Sequence, residues 1–262
     1  MLIKKLKHWI RYSKPITKLL GQKINRSRKR IEIDITYHCN LRCMNCNRSC
    51  RQAPSPMQIE LMQIKKFIDE SVNKNHQWEV IRILGGEPTL HPDISVILES
   101  LINYKYNHSP DTKIQLATNG CGKKVKHILS TIPEEIDIQN SSKISNSQLF
   151  SSFNSAPCDS FLYTFLNYSN GCKILTRCGM GLTPFGYYPC AVAGGIDRVI
   201  GFDCGRKTLP DNNDEMIDHL QLFCRLCGHF KLPNQTNQEI MSPFWENAYK
   251  KYKNKQPVLT LY

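Results

Sequence analysis

The sequence lacks a long hydrophobic run, and its first 30 residues lack any acidic side chain. No stretch approaches the roughly 18 consecutive apolar residues that a membrane span requires. Lys4, Lys5 and Lys7 interrupt the N-terminus where the apolar core of a signal peptide would begin. Twelve cysteines in a chain without such a signal favour a reducing compartment and metal ligation over disulfides. We therefore expect a cytoplasmic protein.

The positive charge is concentrated in residues 1–30. This segment carries eleven of the 35 Lys and Arg residues, so 24 remain in the rest of the chain against 22 Asp and Glu residues. A nearly neutral body argues against nucleic acid as a partner. Residues 1–30 are predicted to be a basic extension with a short amphipathic helix interrupted by Pro15. Two roles stay open for it: contact with an anionic membrane or acidic partner, or packing on the outside of the body.

Three cysteines lie within eight residues, with the spacing C-x3-C-x2-C formed by Cys39, Cys43 and Cys46. They follow the alternating apolar run 31–37, which predicts a strand, so the three thiols are expected in a loop at one end of a sheet. Three thiolates can hold three irons of a 4Fe–4S cube and leave the fourth iron open. The alternative is a zinc site with His38 or Cys50 as the fourth ligand.

Predicted strands and helices alternate after this loop. Helical patterns begin at residue 55 and near residue 93, and strands are predicted at 80–84, 113–117, 135–139 and, as a last core strand, 161–166. Such alternation predicts an α/β fold with a parallel sheet, whose active groups gather at the carboxyl ends of the strands. Gly85-Gly86-Glu87-Pro88 and Thr118-Asn119-Gly120 each follow a strand. Both are therefore expected to meet the cysteine loop at one rim.

The cysteine triplet and the Gly-Gly-Glu-Pro sequence, roughly forty residues apart, resemble the motifs of the radical S-adenosylmethionine (SAM) superfamily. This resemblance implies a partial (β/α)6 TIM-like barrel over residues 31–167, with a 4Fe–4S cluster on the triplet and SAM on its open iron. Cys50 would be a thiol beside the ligands. The residues implied in SAM binding are Gly85, Gly86, Glu87 and Pro88, for the methionyl amino group, and Thr118 and Asn119, beside the ribose.

Seven of the twelve cysteines lie from residue 158 onward. Cys178 and Cys190 flank a predicted hairpin, and Cys224 and Cys227 form a C-x2-C pair, which together give four ligands for a second cube or for zinc. Cys172 competes with Cys178 as the first ligand, and we choose Cys178. The layout resembles the twitch domain, which implies a small cysteine-rich domain over 168–232 that holds an auxiliary 4Fe–4S cluster. A C-terminal helix is expected within 233–262.

The resemblance implies reductive cleavage of SAM to a 5′-deoxyadenosyl radical, with an electron from a flavodoxin- or ferredoxin-type donor. That radical would abstract hydrogen from a small polar metabolite or a sugar-like substrate, and the auxiliary cluster would assist an oxidation. One alternative is a peptide- or protein-modifying enzyme of the same superfamily. A zinc-stabilised binding protein without radical chemistry is the non-enzymatic alternative. The sequence does not identify a general base.

Overall fold

The computed structural model describes residues 2–142, 150, 151, 153–231, 235, 236 and 241–262. Its strands are β1 (Arg30–Thr36), β2 (Val80–Gly85), β3 (Lys113–Thr118), β4 (Ile136–Asn140), β5 (Phe150–Ser151), β6 (Met180–Thr183), β7 (Gly186–Tyr188) and β8 (Gln235–Thr236). Its α-helices are α1 (Leu2–Tyr12), α2 (Lys14–Leu20), α3 (Leu61–Asn73), α4 (Ile94–His108), α5 (Lys123–Leu129), α6 (Ile174–Arg177), α7 (Ala191–Ile200), α8 (Ile217–Phe223) and α9 (Pro243–Asn254).

Six strands form one sheet in the order β4-β3-β2-β1-β6-β7. The first five of these are parallel, and only β7 runs antiparallel, to β6. The expected α/β fold with a parallel-dominated sheet is confirmed. The hairpin expected between Cys178 and Cys190 is β6–β7, and it extends the main sheet because β6 pairs with β1.

The two faces of the sheet differ in polarity because side chains alternate along each strand. Ile31, Ile33 and Ile35 of β1 are fully buried in one apolar core with residues of α3 and α4, such as Phe67 and Leu98. The acidic side chains of β1 therefore lie on the opposite face, away from these helices. That face carries the polar groups described below.

The first helix after the cysteine loop begins later than the sequence suggested. We expected it to start at Ser55, but α3 starts at Leu61, with Glu60 and Gln63 forming the capping box. The intervening backbone is extended because it bonds to the end of β1. Tyr37 donates to the carbonyl of Met57, and Ile59 donates to that of Ile35.

The prediction of a last core strand at 161–166 is wrong. Residues Phe161–Phe165 form a 3-10 helix, which Tyr163 stabilises by donating its backbone N–H to the carbonyl of Ser160. Phe161, Leu162 and Phe165 are more than half exposed, so this apolar run does not enter the core. Composition alone cannot distinguish an apolar surface turn from a buried strand.

The N-terminal helices pack on the body of the protein. Tyr12 of α1 is buried beside Phe230, with ring centroids 5.5 Å apart, and its carbonyl accepts from the backbone N–H of Asn167 at 2.8 Å. Arg26 is also buried and donates to the carbonyl of Asp214. Packing on the outside of the body, one of the two roles considered for residues 1–30, is therefore observed. Within the described residues, no helix is both long and apolar enough to cross a membrane.

Helix α9 lies against α7 and the segment that follows the cysteine loop. Trp245 packs against Phe153 at a centroid distance of 4.9 Å, and Tyr249 shares a hydrogen bond with Ser49 at 2.9 Å. The C-terminal helix expected within 233–262 is α9, and residues 237–240 of that range lie outside the described residues. Through Tyr249, α9 contacts the segment after the cysteine loop.

Candidate functional site

Gly85 and Gly86 lie against the backbone of the loop that carries the first three cysteines. Gly86 donates its N–H to the carbonyl of Thr36 at 2.7 Å, and Glu87 donates to that of His38 at 2.9 Å. A Cβ on Gly85 would lie 2.2 Å from the Thr36 oxygen, and a Cβ on Gly86 would lie 2.2 Å from the His38 oxygen. Both distances are too short for any side chain, so glycine is needed here for close approach of two backbones.

The carboxylate of Glu87 ties the end of β2 to the end of β3. It is fully buried, and its Oε1 accepts from the hydroxyls of Thr89 at 2.7 Å and Thr118 at 2.8 Å. Its Oε2 accepts from the backbone N–H of Asn119 at 2.8 Å. Both carboxylate oxygens therefore already accept hydrogen bonds from groups of the protein. Glu87 therefore orients the Thr118–Gly120 turn.

The cysteine loop and the Asn119 turn contact each other directly. Leu41 donates its N–H to Sγ of Cys39 at 3.4 Å, and Nδ2 of Asn119 lies 3.9 Å from the same sulfur. Nδ2 of Asn119 also donates to Oδ1 of Asn40 at 2.9 Å. Cys43 is buried in the same loop. The three motifs that were expected at one rim of the sheet are thus adjacent, with polar groups around Cys39.

Cys50 lies beside Cys46. A hydrogen bond from the Cys50 thiol lowers the pKa of Cys46 to about 6, and the same bond, together with burial, raises the pKa of Cys50 well above its usual value. Cys50 therefore contacts the third cysteine of the triplet.

Two buried arginines anchor the loop beyond the third cysteine. Arg48 donates to Oε2 of Glu32 at 2.8 Å and to both carboxylate oxygens of Asp34 at 3.2 Å. Arg198 of α7 donates to the carbonyls of Arg48 at 2.9 Å and Ala53 at 2.8 Å. Burial raises the pKa of Asp34 to about 6 against the opposing effect of Arg48. The loop is thus held from both the sheet and α7.

A row of polar side chains crosses the sheet on the face away from α3 and α4. Glu32, Arg82, Gln115 and Asp137 are paired neighbours on β1 to β4. Arg82 donates to Glu32 at 3.2 Å and to Gln115 at 2.8 Å, and Gln115 donates to Asp137 at 2.8 Å. Glu32 is buried and Asp137 is exposed. We call these four residues the polar row, and it opens towards β4.

Four cysteines line one apolar cavity: Cys172, Cys190, Cys224 and Cys227. Cys190 directly precedes α7, and the last two follow α8. Burial raises the pKa of Cys190 to about 12, with a further contribution from Cys172. Every other residue that lines the cavity is aliphatic, aromatic or proline. Four sulfurs in an apolar enclosure have the donor chemistry of an iron–sulfur cluster or a zinc ion.

Cys178 does not line this cavity. Its thiol hydrogen-bonds with Glu32 and lies 4.0 Å from Nη1 of Arg82, so it faces the polar row. Burial, with a further contribution from Glu32, raises the pKa of Cys178 to about 12. Helix α6 carries the chain from Cys172 at the cavity to Cys178 at the sheet. The structure therefore brings Cys172, not Cys178, to the other three cysteines.

In the part of the chain that the structure describes, no three Cys, His, Asp or Glu side chains converge on a single metal ion.

His229 links the two cysteine sets, and the sequence did not single it out. It lies two residues beyond Cys227, and its Nε2 is 3.4 Å from Nδ2 of Asn47, the residue after Cys46. Burial, and secondarily the charge of Arg48, lowers the pKa of His229 to about 4, so the ring is neutral at pH 7. A single histidine that belongs to no recognisable ligand motif cannot be identified as a site residue from the sequence.

The sequence also contains a pattern, not used above, that predicts a buried cation such as Arg48. Glu32 and Asp34 occupy alternate positions of an otherwise apolar strand. Two acids on one face of a buried strand need a cation to compensate their charge. Arg48 supplies it.

A family model described as the radical SAM superfamily matches residues 33–134. These residues run from β1 through the cysteine loop, Gly85–Pro88 and Thr118–Gly120 to the segment before β4. This segment, which is less than half of the chain, is therefore similar to the radical SAM superfamily. That family implies a 4Fe–4S cluster and SAM as cofactors.

Curated relatives resemble part of this chain. GTP 3′,8-cyclase of Nautilia profundicola is 32% identical over 108 residues, which cover 39% of this chain and 31% of the relative. The probable GTP 3′,8-cyclase of Methanococcus aeolicus is 35% identical over 101 residues, covering 37% and 31%. The mitochondrial GTP 3′,8-cyclase of Arabidopsis thaliana is 32% identical over 97 residues, covering 35% and 23%. The chain thus spans less than a third of the length of these relatives.

Two solved structures also resemble the chain. BtrN in complex with AdoMet and 2-DOIA has 12% identity and a TM-score of 0.45, with 83% of this chain and 98% of that chain covered. Streptococcus suis SuiB bound to S-adenosylmethionine has 21% identity and a TM-score of 0.32, covering 47% and 27%. Both TM-scores are below 0.5, so the description of the site rests on the strands and motifs of this chain.

Proposed function

We propose that the protein is a radical SAM enzyme whose catalytic 4Fe–4S cluster is held by Cys39, Cys43 and Cys46. The observation that carries this proposal is the contact of the cysteine loop with Gly86 and Asn119 at one rim of the radical SAM domain. When bound, the cluster and SAM supply a 5′-deoxyadenosyl radical that abstracts hydrogen from the substrate. The protein residues bind, orient and shield the reactants.

The residues of the Gly85–Pro88 turn are proposed to orient SAM. The carboxylate of Glu87 already accepts hydrogen bonds from Thr89, Thr118 and Asn119. The backbone carbonyls of the turn are therefore the better acceptors for the methionyl ammonium group. Glu87 supports this indirectly, because it holds Asn119 beside the cysteine loop.

A small polar molecule is the proposed substrate. The polar row lies on the face of the sheet that the cysteine loop borders, and it becomes more exposed from Glu32 towards Asp137. Hydrogen-bonding side chains in such a row suit a substrate rich in hydroxyl, amino or phosphate groups. The reaction named for the cyclase relatives is not carried over, since the matched segments cover only 35–39% of this chain.

A second 4Fe–4S cluster is proposed on Cys172, Cys190, Cys224 and Cys227. Their apolar enclosure leaves no polar group for a substrate to meet, which favours an electron acceptor over a substrate-binding cluster. A substrate radical must lose one electron to become an oxidised product, and this cluster would accept it. His229, two residues beyond Cys227, lies 3.4 Å from Asn47 and so contacts the loop of the catalytic cluster.

An acidic flavodoxin- or ferredoxin-type protein is the proposed electron donor. A surface pocket beside the cysteine loop is lined by four basic residues, Arg42, Arg51, Lys250 and Lys253, against one acidic residue, Glu246. This charge balance suits an acidic partner. None of the four residues of the polar row lines this pocket, so the proposed donor and substrate sites have different lining residues.

The test is anaerobic turnover of the reconstituted protein with SAM and dithionite. We expect 5′-deoxyadenosine even without substrate, detected by mass spectrometry. Extract from cells grown in deuterated medium is then separated into a small-molecule and a peptide fraction. Each fraction is added to the reaction as the source of substrate, which identifies the substrate class. Deuterium in 5′-deoxyadenosine from the small-molecule fraction supports the proposal, whereas deuterium only from the peptide fraction supports a peptide-modifying enzyme. Absence of 5′-deoxyadenosine from protein with a full cluster would contradict radical chemistry.

A further inference from the structure

The basic residues of the N-terminal segment fall into two groups. Arg26, Arg28 and Arg30 are engaged with the body through Asp214, Glu215 and Glu79, respectively. The second group consists of lysines on the two N-terminal helices. Unlike the three arginines, Lys7, Lys14 and Lys18 are exposed. No acidic residue occurs among the first 30 positions to neutralise them.

Helix α1 lies next to the 3-10 helix Phe161–Phe165. Trp9 packs edge-on against Tyr163, with ring centroids 4.8 Å apart, and Ser13 forms a β-bridge with Leu166. Arg11 donates to the carbonyl of Gly21, which brings the end of α2 back beside α1. These three short elements therefore form one continuous surface of the protein.

This surface concentrates exposed apolar side chains. Ten large hydrophobic residues among the described ones are more than half exposed, and seven of them lie on these three elements. Those seven are Leu6, Ile10, Leu19, Leu20, Phe161, Leu162 and Phe165, here called the apolar face. The other three, Met62, Tyr106 and Val258, lie on α3, α4 and the C-terminal segment. Such a concentration marks an interaction surface, because isolated exposed apolar residues are scattered on ordinary protein surfaces.

We propose that the apolar face inserts into the surface of an anionic lipid bilayer. Protein–protein interfaces are depleted in lysine, whereas helices that lie in a membrane interface combine lysines with exposed Trp, Phe and Leu. The exposed lysines beside the apolar face complement anionic headgroups. This inference needs neither cofactor nor catalysis, so it goes beyond the proposed function and is tested independently of it.

Co-sedimentation of the full-length protein with vesicles tests the proposal. We expect binding to vesicles of phosphatidylcholine with phosphatidylglycerol, and much weaker binding to phosphatidylcholine alone. The triple variant Phe161→Ser, Leu162→Ser, Phe165→Ser should lower the partition coefficient about tenfold or more, because three inserting side chains are lost. The matched control Met62→Ser, Tyr106→Ser, Val258→Ser removes equally exposed apolar groups elsewhere and should bind like wild type.

The contribution of the lysine charges and the depth of insertion into the bilayer are tested in separate experiments. Lys14→Gln and Lys18→Gln should each weaken binding about fivefold, and added salt should reduce this difference. Trp78 and Trp245 are fully buried, so brominated lipids should quench only Trp9. Equal binding to neutral and anionic vesicles would overturn the proposal. So would wild-type binding by the triple serine variant, or association with acidic protein surfaces but not with vesicles.

Discussion

The two cysteine sets differ in how the chain brings them together. Cys39, Cys43 and Cys46 lie on one loop, which glycines and Glu87 hold against neighbouring strand ends. The four cavity cysteines come from separate elements spread between residues 172 and 227. The spacing identifies every member of the loop set, whereas in the cavity set it left one member, Cys172 or Cys178, to be decided by tertiary packing.

The surroundings of the two sets differ as well. Asn119 and the backbone of Leu41 lie within hydrogen-bonding reach of Cys39, at the rim beside the polar row. The other set is enclosed by apolar side chains. A polar and accessible loop suits cofactor and substrate chemistry, and an apolar enclosure suits electron storage. This contrast supports the two proposed roles, a catalytic cluster on the loop and an electron-accepting cluster in the apolar cavity.

The largest expected effect is that of Cys43→Ala on the loop. Removal of one of three cluster ligands should abolish 5′-deoxyadenosine formation, measured anaerobically with SAM and dithionite. Cys50→Ala is the matched control, because Cys50 only hydrogen-bonds to Cys46 and should leave cleavage largely intact. If Cys50→Ala loses the cluster and forms no 5′-deoxyadenosine, the ligand assignment of the loop is wrong.

The second effect distinguishes Cys172 from Cys178. Cys172→Ala should lose the iron and sulfide of one cube, as measured by chemical analysis and Mössbauer spectroscopy, because Cys172 lines the cavity. Cys178→Ala should keep both cubes, since its thiol faces Glu32 and Arg82. The reverse result would restore the assignment that the sequence favoured. Uncoupled SAM cleavage should survive in both variants.

Sequence patterns predicted the features that are local in the chain. The strands, the cysteine loop and the turn at Gly85 were recognised because each has its spacing within a few residues. The choice between Cys172 and Cys178 could not be made from spacing, because both precede the hairpin and only packing around α6 separates them. The exposed 3-10 helix at Phe161 was misread for a similar reason, since an apolar run does not reveal which side of the protein it faces.

A smaller effect concerns the polar anchoring of the loop. Arg48→Met removes the cation that pairs with the buried Asp34 and leaves Glu32 to its pair with Arg82, so the free energy of unfolding should fall by about 3–5 kcal/mol. Arg30→Met is the matched control, because it removes the same charge from the exposed pair with Glu79 and should cost at most about 1 kcal/mol. Urea unfolding of samples with equal iron content measures both. Equal losses would mean that Arg48 does not anchor the loop.

The smallest of these effects is expected at Glu87. The backbone N–H of Thr89 donates to Oε1 and that of Asn119 to Oε2, so in Glu87→Gln the amide NH2 must oppose one of these two N–H groups. A charged hydrogen bond of this kind contributes about 1.5–3 kcal/mol, and the free energy of unfolding should fall by about that amount. Because Asn119 is held by this carboxylate, SAM affinity should weaken as well, which equilibrium dialysis measures. Glu79→Gln, at an exposed glutamate one residue before β2, should change neither. Lower stability with unchanged SAM affinity would show that Glu87 supports the sheet and does not position the turn for the cofactor.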